Sequence, residues 1–161
     1  MSDLPHMTLS ERYMSTIDQA LILTERQDAV LTLTINRPAR KNALTLSMYE
    51  QLTDALRIAA EDPKVRAVVI TGTGDAFTAG NDLKDFMQSP PTSADTPVFH
   101  FIKEIFTFPK PLIAAVNGAA IGIGTTIHLH CDMTFATPDA LFAALRFHVT
   151  ADAPSSAVVR R

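Results

Sequence analysis

The chain has 161 residues, of which 47% are apolar and 19% charged, and its formal net charge is −3. These values indicate one soluble globular domain rather than a disordered chain, and the lack of a basic block before Arg160-Arg161 argues against a nucleic-acid partner. The single cysteine, Cys131, excludes an intramolecular disulfide. No apolar run reaches the roughly 18–20 residues of a membrane span. The N-terminus has no signal-peptide pattern, so we expect a cytoplasmic protein without a membrane partner.

The first part of the chain predicts a lead-in followed by a hairpin. Residues 1–18 are polar and without clear period, so we expect a flexible segment there. The runs 20–25 and 29–35 read as two strands with a turn at 26–28 between them. In the second run apolar residues alternate with threonine, which is typical of a strand with one face on a core.

A helix and a buried strand follow the hairpin. Apolar residues recur at helical spacing over 47–61, and either Thr45 or Ser47 can cap this helix. Glu50 stands three residues after Ser47, as in a capping box. The β-branched run 65–71 then predicts a buried strand. The order strand, helix, strand indicates a crossover unit of an α/β protein.

The later elements alternate in the same way. In chain order, the sequence predicts a small-residue turn at 72–82, an exposed loop at 88–96, a helix at 97–106, a strand at 112–116, a glycine-rich turn at 117–124, a helix at 125–131 and a strand at 133–136. Two strands therefore each run into a turn of small residues and then onward toward a helix. Ligands of α/β proteins bind beyond the carboxyl ends of strands.

Small residues in these two turns leave the backbone accessible. Bare N–H groups there could hold a ligand oxygen, as an oxyanion hole does, although an ordinary strand-to-helix turn would have the same composition. The Gly122-x-Gly124 pair is not a dinucleotide fingerprint, and no phosphate loop or serine nucleophile elbow is present. His128 and His130 fall on different faces of a helix, so we predict no metal site.

Three segments resemble the crotonase superfamily, the enoyl-CoA hydratases and isomerases. They read NRPARKNAL at 36–44, VVITGTGDAFTAGNDL at 68–83 and KPLIAAVNGAAIGIGTT at 110–126, and the last is followed by HCDMTFAT through Thr137. The segments occur in the order and spacing of the family. The resemblance implies a crotonase-like α/β spiral of ββα units in a core domain at 19–142.

The resemblance also implies a substrate and a site. Members of the family use a CoA thioester and stabilise its enolate with two backbone N–H groups, which correspond to those of Asn81 and Ile123. CoA is part of the substrate, so no separate cofactor is expected. By position, the residues that would contact substrate are Arg40, Lys41, Ala43, Ala79, Gly80, Asp82, Gly122, Gly124 and Thr126, with Arg40 and Lys41 near the phosphates.

The acid–base residues depart from the hydratase pattern. Thr126 stands where a hydratase of this family carries its first glutamate, and Arg146 stands at the second. The pattern is closer to the enoyl-CoA delta isomerases, which shift a double bond with one carboxylate base. Pro154 lies near the position of that base, and Asp152 is the carboxylate in the tail that could replace it. A missing base typically lowers the rate by about 10²–10⁴-fold, so impaired activity is expected.

The end of the sequence differs from the family. Beyond about residue 142 the quoted motifs have no continuation, so we expect a divergent tail at 143–161 and no C-terminal helical region. The family forms homotrimers, and that region builds the interface. Three functions therefore stay open: an enoyl-CoA isomerase, an inactive acyl-CoA-binding or oligomerising fragment, and another reaction of the superfamily such as enoyl-CoA hydration.

Overall fold

A computed structural model describes residues 20–88 and 95–144 of the chain. The predicted lead-in at 1–18, most of the loop at 88–96 and nearly all of the predicted tail lie outside the described residues. The strands are β1 (Ile22–Gln27), β2 (Val30–Ile35), β3 (Ala67–Gly72), β4 (Ala76–Thr78), β5 (Leu112–Val116), β6 (Ala119–Ile121), β7 (Met133–Ala136) and β8 (Phe142–Ala143). The helices are α1 (Leu46–Glu61), α2 (Leu83–Gln88), α3 (Pro97–Thr107) and α4 (Ile123–Leu129), and a 3-10 turn spans Pro38–Arg40.

The strands form two sheets. The larger has five strands in the order β1-β2-β3-β5-β7, in which β1 and β2 are antiparallel and all other pairs are parallel. The smaller has three parallel strands in the order β4-β6-β8. From β3 onward, successive pairs of strands therefore place the first strand in the large sheet and the second in the small one. This repeat confirms the predicted α/β class and its ββα units.

One face of the large sheet carries the core. Leu33, Ile70 and Ala114 pair across three neighbouring strands, and each is fully buried. The apolar faces of α1 and α3 belong to the same cluster, in which the rings of Tyr49 and Phe101 lie 5.6 Å apart. The alternating pattern of β2 thus predicts its buried face correctly, because period-two alternation matches a strand with one covered side.

The start of α1 decides between two predicted caps. Thr45 is the N-cap, and its hydroxyl oxygen accepts a hydrogen bond from the Met48 N–H at 3.4 Å. Ser47 lies inside the first turn of the helix. The predicted capping box with Glu50 is therefore wrong, since the residue three positions after this cap is Met48.

The strong periodic elements agree with the sequence, and the shortest ones do not. The strands at 112–116 and 133–136 have the predicted bounds. However, β1 continues through Gln27, so the hairpin turn is shorter than predicted. The predicted turns at 72–82 and 117–124 contain the three-residue strands β4 and β6. Such short strands of small residues are fixed by pairing with distant chain rather than by local propensity.

Candidate active site

Strands β4 and β6 bring the two predicted turns together. They are parallel neighbours, so their carboxyl ends meet at one edge of the small sheet. The first turn (residues 79–82) follows β4, and the second turn (residues 122–124) follows β6. A Cβ atom added to Gly80 would lie 3.1 Å from the Ile121 carbonyl oxygen, and one on Gly124 would lie 2.7 Å from Thr78 Cγ2. Each turn is thus packed against the strand that leads into the other turn.

The backbone N–H of Asn81 is left without an acceptor by the pairing around it. The Leu44 N–H donates to the Gly80 carbonyl oxygen, and the Asp82 N–H donates to the Leu44 carbonyl oxygen, both at 2.8 Å. These bonds use the groups on either side of Asn81. Its own N–H donates to no described residue.

The backbone N–H of Ile123 is free for a different reason. Ile123 is the first residue of α4, and the first N–H groups of a helix have no acceptor within it. No other part of residues 20–88 or 95–144 accepts from this N–H either. Two N–H groups on neighbouring turns are therefore available to a ligand oxygen, as an oxyanion hole would require.

A glycine with positive φ shapes each turn. Gly80 has φ +95° and Gly122 has φ +56°, values that side chains rarely tolerate. The Gly80 N–H donates to the Thr78 hydroxyl at 3.1 Å, and the Gly122 N–H donates to the Ala143 carbonyl oxygen at 2.7 Å. In each turn, the glycine before the unpaired donor therefore fixes the backbone through its own N–H hydrogen bond.

Asn42 joins the loop before α1 to residues 73–78, which lead into the first turn. It is fully buried, and its Nδ2 donates to the carbonyl oxygens of Thr73 at 2.8 Å and Ala76 at 2.7 Å. Its Oδ1 accepts from the Arg37 N–H at 2.9 Å, and its carbonyl oxygen accepts from the Thr78 hydroxyl at 2.7 Å. Both polar atoms of the Asn42 side chain therefore have hydrogen-bond partners, as burial requires.

An open groove of about 660 Å³ runs along the first turn and α2. Five of the residues predicted to contact substrate or oxyanion line it, namely Arg40, Ala43, Ala79, Asn81 and Asp82. The structure does not place Lys41 or Gly80 in this lining, nor the predicted residues of the second turn and α4, Gly122, Ile123, Gly124 and Thr126. The Lys41 ammonium instead pairs with Asp75 at 2.6 Å on the exposed surface, where its hydrogen bond and charge lower the pKa of Asp75.

Asp82 lines the groove, but its carboxylate is engaged. Its Oδ2 accepts from Arg37 Nη1 at 2.7 Å, and its Oδ1 accepts from the N–H groups of Lys84 and Asp85 at 3.1 Å each. The bond from Arg37, followed by that from the Asp85 N–H, lowers the pKa of Asp82. Asp85 is engaged as well, because its Oδ2 accepts from the Leu46 N–H at 2.6 Å.

The remaining predicted residues lie on or after the second turn. Gly122 and Gly124 shape it, and Thr126 lies in α4 with its N–H donating to the Gly122 carbonyl oxygen at 3.2 Å. Arg146, Asp152 and Pro154 lie outside the described residues. Within the part of the chain that the structure describes, no three potential ligands cluster around a metal position, and the expectation of no cofactor stays a prediction.

Three residues with a part in the site were missed from the sequence. Arg37 and Asn42 lie inside the segment at 36–44, where a polar residue just before Ala43-Leu44 could have signalled a buried hydrogen-bonding role. Tyr49 falls on the apolar face of α1, yet its hydroxyl donates to Oδ1 of Asn81. No local sequence pattern predicts that contact, because the two residues are 32 positions apart.

A comparison with protein-family models places the chain. The model described as enoyl-CoA hydratase/isomerase matches residues 25–157. The chain belongs to this family. The match also includes most of 143–161, where the quoted motifs have no continuation.

Individual relatives include proteins named as isomerases and proteins named as hydratases. The chain is 39% identical over 127 residues to the peroxisomal enoyl-CoA delta isomerase 3 of Mus musculus, covering 75% of the chain and 40% of that protein. It is 41% identical over 123 residues to the 2,3-dehydroadipyl-CoA hydratase of Escherichia coli, covering 75% and 48%. The structure of Pseudomonas aeruginosa OdaA matches with a TM-score of 0.73 and 49% identity over 76% of this chain and 49% of that one.

These matches establish the family, and they cover only part of each relative. The chain spans about half, or less, of the length of these relatives. No helix among the described residues is long and apolar enough to cross a membrane. The mouse relative is named as peroxisomal, so a cytoplasmic location stays a prediction for this family member, as does a homotrimer.

Proposed function

We propose that the protein binds an acyl-CoA thioester in the groove and holds its carbonyl oxygen with the backbone N–H groups of Asn81 and Ile123. The observation that carries this proposal is the pair of unpaired donors on two turns that follow neighbouring parallel strands. Negative charge gathers on the thioester oxygen when a proton is removed next to the carbonyl. A donor aimed at such an oxygen typically contributes about 2.7–4 kcal/mol to the transition state.

Arg40 is the better candidate for the phosphates of CoA. It is exposed and lines the groove, and the ion pairs of the described residues do not include it. Lys41 would first have to leave Asp75. An exposed pair of this kind exchanges readily with water, so Lys41 can serve as a second contact.

We propose a shift of the acyl double bond rather than hydration. Removing a proton from C2 of a 3-enoyl-CoA gives a dienolate, and returning the proton at C4 gives the conjugated 2-enoyl-CoA. One base can carry that proton, whereas hydration by the family's route uses two glutamates. Thr126 at the first glutamate position supports the single-base reaction, because a hydroxyl cannot act as a general base at neutral pH.

The test measures conversion of 3-hexenoyl-CoA to the conjugated product by its ultraviolet absorbance. Ile123→Pro removes one N–H at the first position of α4, where proline suits the helix. We expect kcat to fall by about 10²–10³-fold. The matched control Ile123→Ala keeps the N–H and should lose less than about threefold. Equal rates in the two variants would contradict a role for this donor.

Binding without turnover is a second candidate. The two carboxylates that line the groove, Asp82 and Asp85, are both engaged in hydrogen bonds. If neither they nor a residue outside the described ranges acts as the base, thioester binding remains. Calorimetry with hexanoyl-CoA would then show binding that Ile123→Pro weakens, while 3-hexenoyl-CoA is not converted.

A further inference from the structure

The side chain of Asn81 is held from α1. The Tyr49 hydroxyl donates a hydrogen bond to Asn81 Oδ1. The Tyr49 ring is 1% exposed and packs against Phe101, so it has little freedom to move. Burial also raises the pKa of Tyr49, which keeps the hydroxyl protonated and able to donate. The carbonyl end of the Asn81 carboxamide is thereby fixed.

The same hydrogen bond determines where the amino end of the carboxamide goes. Oδ1 and Nδ2 diverge from one carbon, so Nδ2 points away when Oδ1 faces Tyr49. Nδ2 donates to no described residue. Among those residues, the Thr96 hydroxyl is the one buried side-chain polar atom without a partner. Nδ2 of Asn81 is therefore not fully enclosed, and Asn81 lines the groove.

We propose that Nδ2 of Asn81 is a third hydrogen-bond donor to the thioester oxygen and that Tyr49 is the positioning residue that aims it. This inference rests on the proposed function. Asn81 lines the groove, and only a few covalent bonds separate Nδ2 from the backbone nitrogen, so the two donors are close enough to share one ligand oxygen. A third donor would further stabilise the charge that develops there.

The decisive variant is Asn81→Asp. Aspartate has nearly the shape of asparagine and still accepts from Tyr49, but it replaces the Nδ2 donor with an acceptor oxygen. Binding is measured by calorimetry with two probes, hexanoyl-CoA and its S-hexyl thioether, which has a methylene in place of the carbonyl. We expect hexanoyl-CoA to bind at least about tenfold more weakly and the thioether to change by less than about twofold.

Tyr49→Phe tests the positioning role. It removes the hydroxyl and should weaken hexanoyl-CoA binding by about threefold, with no such loss in an Asn81→Ala background, because Tyr49 acts through Asn81. A purely structural role would cost the same in both backgrounds and would overturn the inference. Equal weakening of both probes by Asn81→Asp would also overturn it. If the unaltered protein binds neither probe, the proposed function itself fails.

Discussion

The first turn is held by hydrogen bonds from polar side chains, whereas the second is held by close packing at a glycine, where no Cβ atom would fit. Arg37 and Tyr49 donate to Asp82 and Asn81 in the first turn, and Asn42 donates to Ala76 in the strand that leads into it. In the second turn, a Cβ atom on Gly124 would lie 2.7 Å from Thr78 Cγ2. The first turn is thus positioned by a hydrogen-bond network, and the second by close contact with β4.

The difference teaches that the two donors should fail under different changes. A hydrogen-bond network is destabilised when a polar group is removed or protonated, since its partners are then left buried and unpaired. A close contact is destabilised when side-chain volume is added to it. Substitutions of matched kind at each turn therefore separate the two mechanisms.

The largest effect is expected at Asn42. Asn42→Leu leaves the Thr73 carbonyl oxygen and the Arg37 N–H without this partner and leaves the Ala76 carbonyl oxygen with only Asn117 Nδ2, at 3.4 Å. Each buried group that loses its partner costs about 1–3 kcal/mol, and leucine also tolerates the φ of +57° at this position less well than asparagine. We expect the free energy of unfolding to fall by about 3–5 kcal/mol, measured by urea denaturation. Asn36→Ala is the control, since that side chain donates one bond, to the Ala20 carbonyl oxygen. Equal losses in the two variants would contradict the network.

A smaller effect is expected at Gly124. Gly124→Ala places a methyl group 2.7 Å from Thr78 Cγ2, and we expect a loss of about 1–3 kcal/mol in the free energy of unfolding. Thr78→Ser removes that methyl group and keeps the hydroxyl that bonds Asn42 and Gly80. The double variant should recover most of the loss. Additive losses would show that the contact with Thr78 does not limit the second turn.

These results bear on what a sequence can reveal. The long helices and the strand at 112–116 were predictable because their apolar period is local. The two turns were predicted as candidate sites because small residues leave a backbone accessible, and that role stays a prediction. The networks were not, since the bond from Asn42 to Ala76 and that from Tyr49 to Asn81 join residues more than 30 positions apart. Which distant polar groups meet is decided by the packed strands β4 and β6.

The smallest effect is expected from protonation of Asp82. Its pKa is lowered in the folded protein by the bond from Arg37, so the charged form is favoured by folding. The contribution is present above the unfolded pKa of about 3.9 and is lost as pH falls through the lowered value. Asp82→Asn should therefore lower the free energy of unfolding by about 1 kcal/mol at pH 7, and the difference should shrink as the pH falls below about 3.9.

Asp75→Asn is the control for Asp82→Asn, because it removes the exposed Lys41–Asp75 ion pair instead of the half-buried Arg37–Asp82 pair. The pKa of Asp75 is also lowered, by Lys41, but both side chains are exposed, at 76% and 62%. The Arg37 and Asp82 side chains are exposed by only 23% and 16%, so water and salt screen their interaction less. Urea denaturation of Asp75→Asn between pH 2 and pH 7 should follow the unaltered protein. A pH dependence as large as that of Asp82→Asn would mean that charge alone, without burial on the first turn, accounts for the effect.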